Sequence, residues 1–287
     1  MNGEQGCQFL LTIDDVKKIK MSEQKINSTG FVTLAGAGPG DAELITLKLQ
    51  KRLMEADVII TDRLVNPDII SNHAGKDVLI LFAGKQGYND SSFSQEEVTT
   101  LIIEHAQQGK KVLRLKGGDV AFFSNVLDEL QSLTEKNIPF EIIPGITAAS
   151  GASAYAGIPL TARAHSQGVQ ILTYNPSSYY NPETWKQLAN TSDTLVFYMA
   201  AKNICDLAEI LLRYSKRPAT KLAVIEQATT IHQQVYTTTL KDCAKDFAGK
   251  IFSSPSLIII GDVVKLHEQF NWFNSTEAGT VFHDLEK

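Results

Sequence analysis

The segment Lys111-Val-Leu-Arg-Leu-Lys-Gly-Gly-Asp119 joins a strand pattern to residues that could bind a ligand. Val112, Leu113 and Leu115 predict a buried strand, which ends at two glycines and an acid. In open α/β sheets ligands bind at the carboxyl ends of strands, and glycines let a ligand lie directly on the backbone. Asp119 could accept hydrogen bonds from such a ligand. Taken alone, Gly-Gly-Asp is more often a plain tight turn.

A second candidate loop, Gly36-Ala-Gly-Pro-Gly-Asp41, separates an apolar run at residues 31–35 from an amphipathic helix predicted over residues 42–56. Strand, glycine loop and helix is the usual order around a nucleotide phosphate. The dinucleotide fingerprint fails here because Asp41 stands where the third glycine is needed, and no Gly-Lys-Ser/Thr follows for a Walker loop. Pro39 between two glycines indicates a rigid loop built against an uncharged or cationic ligand.

The elements around these loops predict a first α/β domain over residues 29–144. Further strands are expected at residues 58–60, 78–83 and 139–143, alternating with helices. Ser94-Gln-Glu-Glu97 is a capping box that starts one helix, and another helix is expected at residues 124–135. Five strands alternating with helices predict a mostly parallel sheet.

Residues 145–270 predict a second α/β domain with a mixed sheet, which follows a small-residue helix at residues 147–156. The last two of its strands suggest some antiparallel pairing. Residues 1–28 are expected to be a flexible extension, and residues 271–287 a polar tail that frays. The predicted strands are residues 169–173, 194–199, 222–226, 233–238 and 257–263, with helices at 182–188, 202–214 and 240–247.

Composition excludes several classes of function. The 287-residue chain is 43% hydrophobic with a formal net charge of -5, enough for two domains but without the excess of basic residues usual for nucleic-acid binding. Cys7, Cys205 and Cys243 lack metal-site spacing, which indicates reduced thiols in a cytoplasmic protein without a metal site or disulfides. No apolar run approaches the roughly 18 residues that span a membrane.

Seven segments, most of them at predicted strand ends, occur in an order that a known family shares. They are Gly36-Ala-Gly-Pro-Gly-Asp41, Thr61-Asp-Arg-Leu-Val65, Gly84-Lys85, Arg114-Leu-Lys-Gly-Gly-Asp119, Pro144-Gly-Ile-Thr-Ala-Ala-Ser-Gly151, Ala156-Gly-Ile-Pro-Leu-Thr161 and Ser254-Pro-Ser-Leu-Ile258. Together, over about residues 30–274, they resemble the tetrapyrrole methylases, and within that family the uroporphyrinogen-III C-methyltransferases.

The resemblance implies two α/β domains with S-adenosylmethionine bound in the cleft between them, usually in a homodimer. It assigns residues to the cofactor by position along these segments. Those residues are Pro39, Gly117, Gly118, Asp119, Phe122, Thr147, Ala148, Met199 and Ala228.

The resemblance also assigns Asp62 as the family's proposed proton acceptor and Lys85 as its proposed proton donor. From the residues alone, Asp62 could equally be a helix N-cap and Lys85 a solvated loop lysine. Arg63, Lys116 and Arg163 are candidates for binding substrate carboxylates because of their charge and their places beside these loops.

The reaction that the resemblance implies carries methyl groups from a sulfonium to C2 and C7 of uroporphyrinogen III. The product, precorrin-2, serves siroheme or cobalamin synthesis. A pocket for a positively charged sulfur suits backbone carbonyls, an acid and the soft Met199 better than a phosphate nest. The attacking pyrrole carbon loses a proton nearby, which a carboxylate at Asp62 could accept.

One segment departs from the family pattern, which keeps other functions open. Val120-Ala-Phe-Phe-Ser-Asn-Val126 stands where the family usually has Pro-Phe-x-Phe-Gly-Arg-Gly. The missing arginine would be a natural clamp for a substrate with eight carboxylates, so the acceptor could instead be another precorrin, or a protein or RNA group. From other classes, a nicotinamide-dependent oxidoreductase and a non-catalytic binding module remain alternatives.

Overall fold

The computed structural model describes residues 29–83, 94–176, 180–275, 277 and 279–282. The predicted extension at residues 1–28 and the candidate proton donor Lys85 lie outside these ranges. Within them, no helix combines the length and the apolar character that crossing a lipid bilayer requires.

The first sheet consists of β1 Phe31–Gly36, β2 Val58–Thr61, β3 Leu79–Phe82, β4 Lys111–Lys116 and β5 Phe140–Ile143. Its order is β3-β2-β4-β1-β5, and every neighbouring pair is parallel, as predicted. The central strands are almost fully buried because apolar clusters from packed helices cover both faces of the sheet. The edge strands β3 and β5 leave part of their side chains exposed.

The second sheet consists of β6 Val169–Thr173, β7 Thr194–Tyr198, β8 Lys221–Glu226, β9 Gln234–Thr239 and β10 Ser256–Ile260. Its order is β6-β7-β10-β8-β9; β6 and β7 are parallel and the other pairs antiparallel, so the predicted mixed sheet is confirmed. The last two strands do not pair with each other. β8 lies between them and pairs antiparallel with each, so its backbone groups are bonded along both edges.

Helices connect the strands of both sheets. Two short 3₁₀ helices, Ala201–Asn203 and Asp262–Leu266, accompany them among the described residues. The α-helices there are α1 Leu47–Glu55, α2 Pro67–His73, α3 Gln95–Gln107, α4 Leu127–Glu135, α5 Ala148–Tyr155, α6 Pro182–Asn190, α7 Ile204–Arg213, α8 Cys243–Asp246 and α9 His267–Phe270.

Side-chain caps set several of the helix starts. The Ser94 capping box is confirmed at α3, with Ser94 accepting from the backbone N–H of Glu97 and Glu97 accepting from that of Ser94. α1 begins later than predicted because Thr46 caps it. α2 was not predicted: Asn66 caps it and Pro67 occupies its first position, a short signal inside a segment interpreted as a loop.

The two sheets draw on separate parts of the chain. The first takes its strands from residues 31–143 and the second from residues 169–260. The predicted domain boundary between residues 144 and 145 lies in this interval and stays a prediction.

The tail after residue 270 contacts the rest of the chain at several described positions, although most of its described residues are exposed. The expectation that it frays stays a prediction. Phe282 is 4% exposed, and Gln227 Nε2 donates to the Gly279 carbonyl at 2.8 Å. Trp272 Nε1 donates to the Ala154 carbonyl at 2.9 Å. These contacts join aromatic side chains of the tail to α5, and the tail backbone to the segment after β8.

Three loops at the carboxyl ends of β1, β4 and β5 contact each other through backbone. A Cβ atom on Gly145 would lie 2.2 Å from the Gly118 carbonyl oxygen and 2.8 Å from that of Gly36, and one on Gly36 would lie 2.5 Å from the Gly118 oxygen. None of these neighbours is a side chain that could turn away. The glycines are therefore required by close approach of the main chain.

Replacing Gly145 by alanine should destabilise the fold, because the three loops must separate to admit one methyl group. We expect a loss of about 1–3 kcal/mol in the free energy of unfolding, measured by urea denaturation. Gly75→Ala is the matched control, since its Cβ would meet only the Met54 carbonyl oxygen at 3.3 Å. Equal stability of the two variants would contradict the role assigned to the loop contact.

Candidate active site

A cleft of about 770 Å³ opens at the carboxyl ends of the strands of the first sheet. Its other side is formed by residues 198–256, which belong to the part of the chain that contains the second sheet and is called the second half below. Most of the predicted site residues lie on the cleft wall, although they come from four separate strand ends and the start of α5. The predicted residues on this wall are Pro39, Asp62, Arg63, Lys116, Gly117, Gly118, Asp119, Phe122, Thr147, Ala148 and Met199.

Three predicted site residues are not found there. Arg163 is exposed on the loop before β6. Ala228 is 8% exposed in the core of the second half, where its carbonyl oxygen faces Gly40. Lys85 lies outside the described residues. The roles assigned to these three residues stay predictions.

Main chain forms much of the cleft floor. Gly38 and Gly118 exchange two backbone hydrogen bonds of 3.0 and 2.7 Å. A Cβ atom on Gly118 would approach only the Ala148 nitrogen, at 3.7 Å, so this glycine opens toward the space between its loop and the start of α5. Asp119 Oδ1 accepts from the backbone N–H of Ala121 at 2.7 Å, which fixes the turn that follows.

The first glycine loop is clamped against α5. A Cβ atom on Gly151 would lie 2.6 Å from the Pro39 ring, so only glycine leaves room for the proline. Asp41 Oδ2 accepts a hydrogen bond from the Tyr155 hydroxyl at 2.7 Å. Burial, together with this bond to a carboxylate, raises the pKa of Tyr155 to about 12. Asp41 is thus engaged by the protein.

Asp62 follows β2 and reaches the cleft from a turn of its own. Its Oδ1 accepts from the backbone N–H of Leu64 at 3.0 Å, and its Oδ2 lies 3.7 Å from Arg114 Nη2. The alternative interpretation of Asp62 as a helix N-cap is wrong, because Asn66 caps the next helix. The Asp62 carboxylate is thus oriented by the backbone on one side and by a buried guanidinium on the other.

A buried charge cluster lies directly behind Asp62. Glu129, fully buried on α4, contacts Arg114 Nε at 3.3 Å and Lys116 Nζ at 2.9 Å, and Gln95 Nε2 donates to it at 3.1 Å. The Lys116 ammonium thus pairs with Glu129 and also donates a hydrogen bond to the Ser124 carbonyl at 2.7 Å. Each of these charges is compensated by the others.

This cluster changes the interpretation of Lys116. The side chain borders the cleft, but its 4% exposed ammonium is already bound to Glu129 and to the Ser124 carbonyl. Burial lowers the pKa of Lys116, and the partially compensating charge of Glu129 acts in the opposite sense. The ammonium of Lys116 therefore serves the buried cluster, and its predicted role in binding substrate carboxylates is not supported by its position.

Tyr198, at the end of β7, is a cleft residue that sequence reasoning missed. Its hydroxyl lies 2.6 Å from Thr147 Oγ1 and accepts from the backbone N–H of Ala149 at 2.8 Å, so it joins the second sheet to the start of α5. Burial raises the pKa of Tyr198 and keeps the hydroxyl protonated. The next residue, Met199, has a φ of 57° and is 66% exposed in the cleft.

The segment that departs from the family pattern keeps tight turns without glycine. Phe123 and Asn125 adopt φ values of 52° and 54°, which ends the turn and delays the start of α4 to Leu127. Phe122 and Phe123 both line the cleft, and the Phe123 ring lies 5.1 Å from that of Tyr198. This part of the wall is therefore aromatic.

The segment at residues 250–256 supplies a further part of the wall that the sequence did not indicate as a site, apart from the Ser254-Pro match. Arg63 Nη2 donates to Ser254 Oγ at 3.1 Å, which ties the two halves of the chain together across the cleft. Lys202 and Lys250 also line the cleft. Their only sequence signal was charge.

Removing the buried carboxylate of Glu129 should destabilise the protein. In Glu129→Gln the charges of Arg114 and Lys116 stay buried without their partner, so we expect a loss of about 3–5 kcal/mol in a urea unfolding experiment. Glu135→Gln, at the exposed end of the same helix, should change stability by less than about 0.5 kcal/mol. If Glu129→Gln were as stable as this control, the stabilising role assigned to Glu129 in the buried charge cluster would be wrong.

Removing the Tyr198 hydroxyl should disturb the start of α5. In Tyr198→Phe, Thr147 Oγ1 and the Ala149 N–H lose a shared partner in a largely buried place, which costs about 1–3 kcal/mol. The Ala149 amide should therefore exchange its hydrogen with solvent faster than it does in the wild-type protein. Tyr214→Phe is the control, and the same exchange rate in both variants would exclude this function of the hydroxyl.

Comparison with known proteins finds relatives over most of the chain. Siroheme synthase 2 of Yersinia enterocolitica is 41% identical over 277 residues, which cover 95% of this chain and 58% of that protein. Siroheme synthase 2 of Aeromonas hydrophila is 43% identical over 251 residues, covering 88% of this chain and 53% of that protein. The chain thus spans just over half the length of these relatives.

Solved structures share the fold. A uroporphyrin-III C-methyltransferase from Thermus thermophilus, complexed with S-adenosyl homocysteine, matches with a TM-score of 0.68 and 31% identity, covering 83% of this chain and 94% of that one. A cobalt precorrin-4 methyltransferase matches with a TM-score of 0.73 and 25% identity, covering 83% and 97%.

A family model described as Tetrapyrrole (Corrin/Porphyrin) Methylases matches residues 32–244. That range contains both sheets except β10, and it includes the predicted residues on the cleft wall. On this match and on the identity to the siroheme synthases, the chain belongs to the tetrapyrrole methylase family.

Proposed function

We propose that this chain transfers methyl groups from S-adenosylmethionine to C2 and C7 of uroporphyrinogen III, giving precorrin-2 for siroheme synthesis. One observation carries the proposal: a backbone-floored cleft brings the glycine loops after β1 and β4 to the start of α5, with Asp62 on the same wall. The relatives named siroheme synthase and the uroporphyrin-III C-methyltransferase structure support the choice of acceptor.

The residues present fit the methyl donor. The open face of Gly118 toward Ala148 leaves room for a ligand against the main chain. Pro39, Thr147 and Met199 would complete the cofactor site beside it. When bound, the sulfonium supplies an electrophilic methyl group. The chain's own part is to hold that group in line with the attacking carbon, and alignment of this kind can contribute several orders of magnitude in rate.

Asp62 is the residue that accepts the proton released near the methylated carbon. Its carboxylate is on the cleft wall, and both of its oxygens are oriented, one by Leu64 N–H and the other by Arg114. A fixed carboxylate within reach of the acceptor can act as general base. Lys85 is proposed as the proton donor from the family resemblance alone.

Arg63 and Arg163 are proposed to bind carboxylates of the substrate. Arg63 is on the wall, and its present partner is the neutral Ser254 hydroxyl, which a carboxylate could replace. Arg163 is exposed on the loop before β6, where it could reach carboxylates at the mouth.

Another acceptor remains the second candidate. The aromatic segment around Phe122 and Phe123, without the family's usual arginine, favours it, and the cobalt precorrin-4 methyltransferase has a similar fold. A screen of tetrapyrrole acceptors at a fixed concentration of methyl donor distinguishes the two. Methylation of another precorrin in preference to uroporphyrinogen III would replace the first candidate.

We also propose that the protein is a homodimer in the cytoplasm. The apolar side chains of Leu79 and Ile80 on edge strand β3 are exposed, and a second copy of the chain could bury them in a dimer interface. The reduced thiols of Cys205 and Cys243 support a reducing compartment. Light scattering on the purified protein tests the first point.

The Asp62→Asn variant tests the reaction. We expect the wild-type protein to incorporate methyl groups from labelled S-adenosylmethionine into anaerobically prepared uroporphyrinogen III. Asp62→Asn should lower kcat by about 10²–10⁴-fold, since it removes the base but not the cleft. Binding of S-adenosylhomocysteine, measured by calorimetry, should be unchanged.

Asp77→Asn, an exposed acid outside the cleft, is the matched control and should retain full activity. Full turnover by Asp62→Asn would remove the role of Asp62 while leaving the cofactor site standing. Failure of the wild-type protein to bind S-adenosylhomocysteine, or to methylate any tetrapyrrole, would overturn the proposed function itself.

A further inference from the structure

The cleft differs in charge from the molecule that carries it. The whole chain has a formal net charge of -5, but basic residues outnumber acidic ones on the described wall of the cleft. A basic cleft in an acidic protein concentrates anions at one place on the surface. The basic residues on the wall are Arg63, Lys116, Lys202 and Lys250, and the acidic ones are Asp62 and Asp119.

Two of these cations lie within ion-pair distance of no carboxylate in the described ranges, although the charge of Glu226 acts on Lys250 from further away. Lys116 is bound to Glu129, and Arg63 donates to Ser254 Oγ. Lys202 and Lys250 make no ion pair with any described acid. Both lysines come from the second half of the chain, opposite the glycine loops, so their charges face the cleft from the other side.

Lys250 is held in place by aromatic rings. Its Nζ lies 3.2 Å from the centroid of the Tyr236 ring and 5.6 Å from that of Phe252. The two rings pack edge to face at 5.7 Å, and Phe247 packs against Phe252 from behind at 5.1 Å. A cation over an aromatic face keeps its charge and its remaining hydrogen-bond donors. The ammonium is therefore positioned by the rings, while the nearest acid that acts on it, Glu226, accepts from the Ser253 N–H and forms no close ion pair with it.

Lys202 lies beside the residue expected to contact the methyl donor. It belongs to the 3₁₀ turn Ala201–Asn203, which begins two residues after the strained Met199. The left-handed backbone at Met199 fixes the direction in which this turn leaves β7. Lys202 thus places an exposed positive charge on the cleft wall close to Met199.

Apolar side chains occupy the wall between these charges. Phe122 is 37% exposed, Phe123 46%, Met199 66% and Ile251 94%, and all four line the cleft. Exposed apolar groups gathered in one concave place indicate a ligand with apolar faces. Together with the unpaired cations, they fit a broad, flat ring system that carries carboxylates on its periphery.

We propose that Lys202 and Lys250 bind carboxylate side chains of the tetrapyrrole and make the enzyme selective for acceptors with many carboxylates. This inference rests on the proposed function and adds the residues that select the substrate. The apolar wall holds the faces of the macrocycle, and the two lysines hold its edge on the side away from the glycine loops. Neither lysine takes part in the chemical step.

The test uses Lys202→Gln, Lys250→Gln and the double variant, with Lys241→Gln as control. Lys241 is an exposed lysine of the same half that does not line the cleft. Ion pairs between these exposed lysines and carboxylates of the substrate are each weak, because solvent screens them. We therefore expect KM for uroporphyrinogen III to rise about threefold for each single variant and about tenfold for the double variant. The value of kcat should stay within about twofold.

A second acceptor separates carboxylate binding from general effects. In the tetracarboxylate porphyrinogen, methyl groups replace the acetate side chains, so fewer anions can reach the lysines. The wild-type protein should prefer uroporphyrinogen III, with eight carboxylates, over the tetracarboxylate, and this preference should be smaller in the double variant. Raising the salt concentration should raise KM for uroporphyrinogen III more in the wild type than in the double variant. Tyr236→Leu, which removes the platform under Lys250, should reproduce the KM effect of Lys250→Gln.

The outcomes are distinguishable from failure of the proposed function. If the wild type methylates uroporphyrinogen III but the lysine variants match Lys241→Gln in KM, the lysine proposal is wrong and the proposed function stands. If the variants weaken S-adenosylhomocysteine binding as much as they raise KM, the lysines serve the cofactor and the proposal is also wrong. If the wild type methylates no tetrapyrrole, both fail together.

Discussion

The contact of three backbone loops, at Gly36, Gly118 and Gly145, is the constraint on which the rest of the site depends. It brings the ends of β1, β4 and β5 closer than any side chain would allow. Because the loops touch through main chain, the space beside them is walled by amide and carbonyl groups with fixed positions. Polar groups that are already in place need no reorganisation when a ligand binds, which is the condition for both tight binding and rate enhancement.

Behind this wall, a second constraint is electrostatic. The Arg114 guanidinium, itself buried, lies between Asp62 in the cleft and Glu129 in the core. Charges in such a place are costly unless they are paired, and here Arg114 and Glu129 each have two partners of opposite charge. The cluster links the orientation of a cleft carboxylate to the packing of α4, so chemistry and stability share the same residues.

The sequence predicted those parts of the fold and site that depend on local pattern. Alternating apolar runs predicted the strands of both sheets, and the glycine loops after β1 and β4 were candidates on their own because ligands bind at the carboxyl ends of strands. The family resemblance supplied the roles of the other predicted residues on the wall. The sequence could not predict that Lys116 turns inward, since its partner Glu129 is on the next helix. Tyr198 was missed because its partners, Thr147 and Ala149, are about fifty positions away. Helix α2, which Asn66 caps, was missed because it is too short for its apolar residues to show a helical period.

The tie between Arg63 and Ser254 has a consequence for how the cleft admits its ligand. It joins the two halves through a charged donor and a neutral hydroxyl, an exchangeable contact whose net worth is on the order of 1–3 kcal/mol. An incoming carboxylate competes for the same guanidinium and, being charged, forms the stronger bond. Binding of a carboxylate at Arg63 would therefore replace a contact between the two halves of the chain with a contact to the ligand.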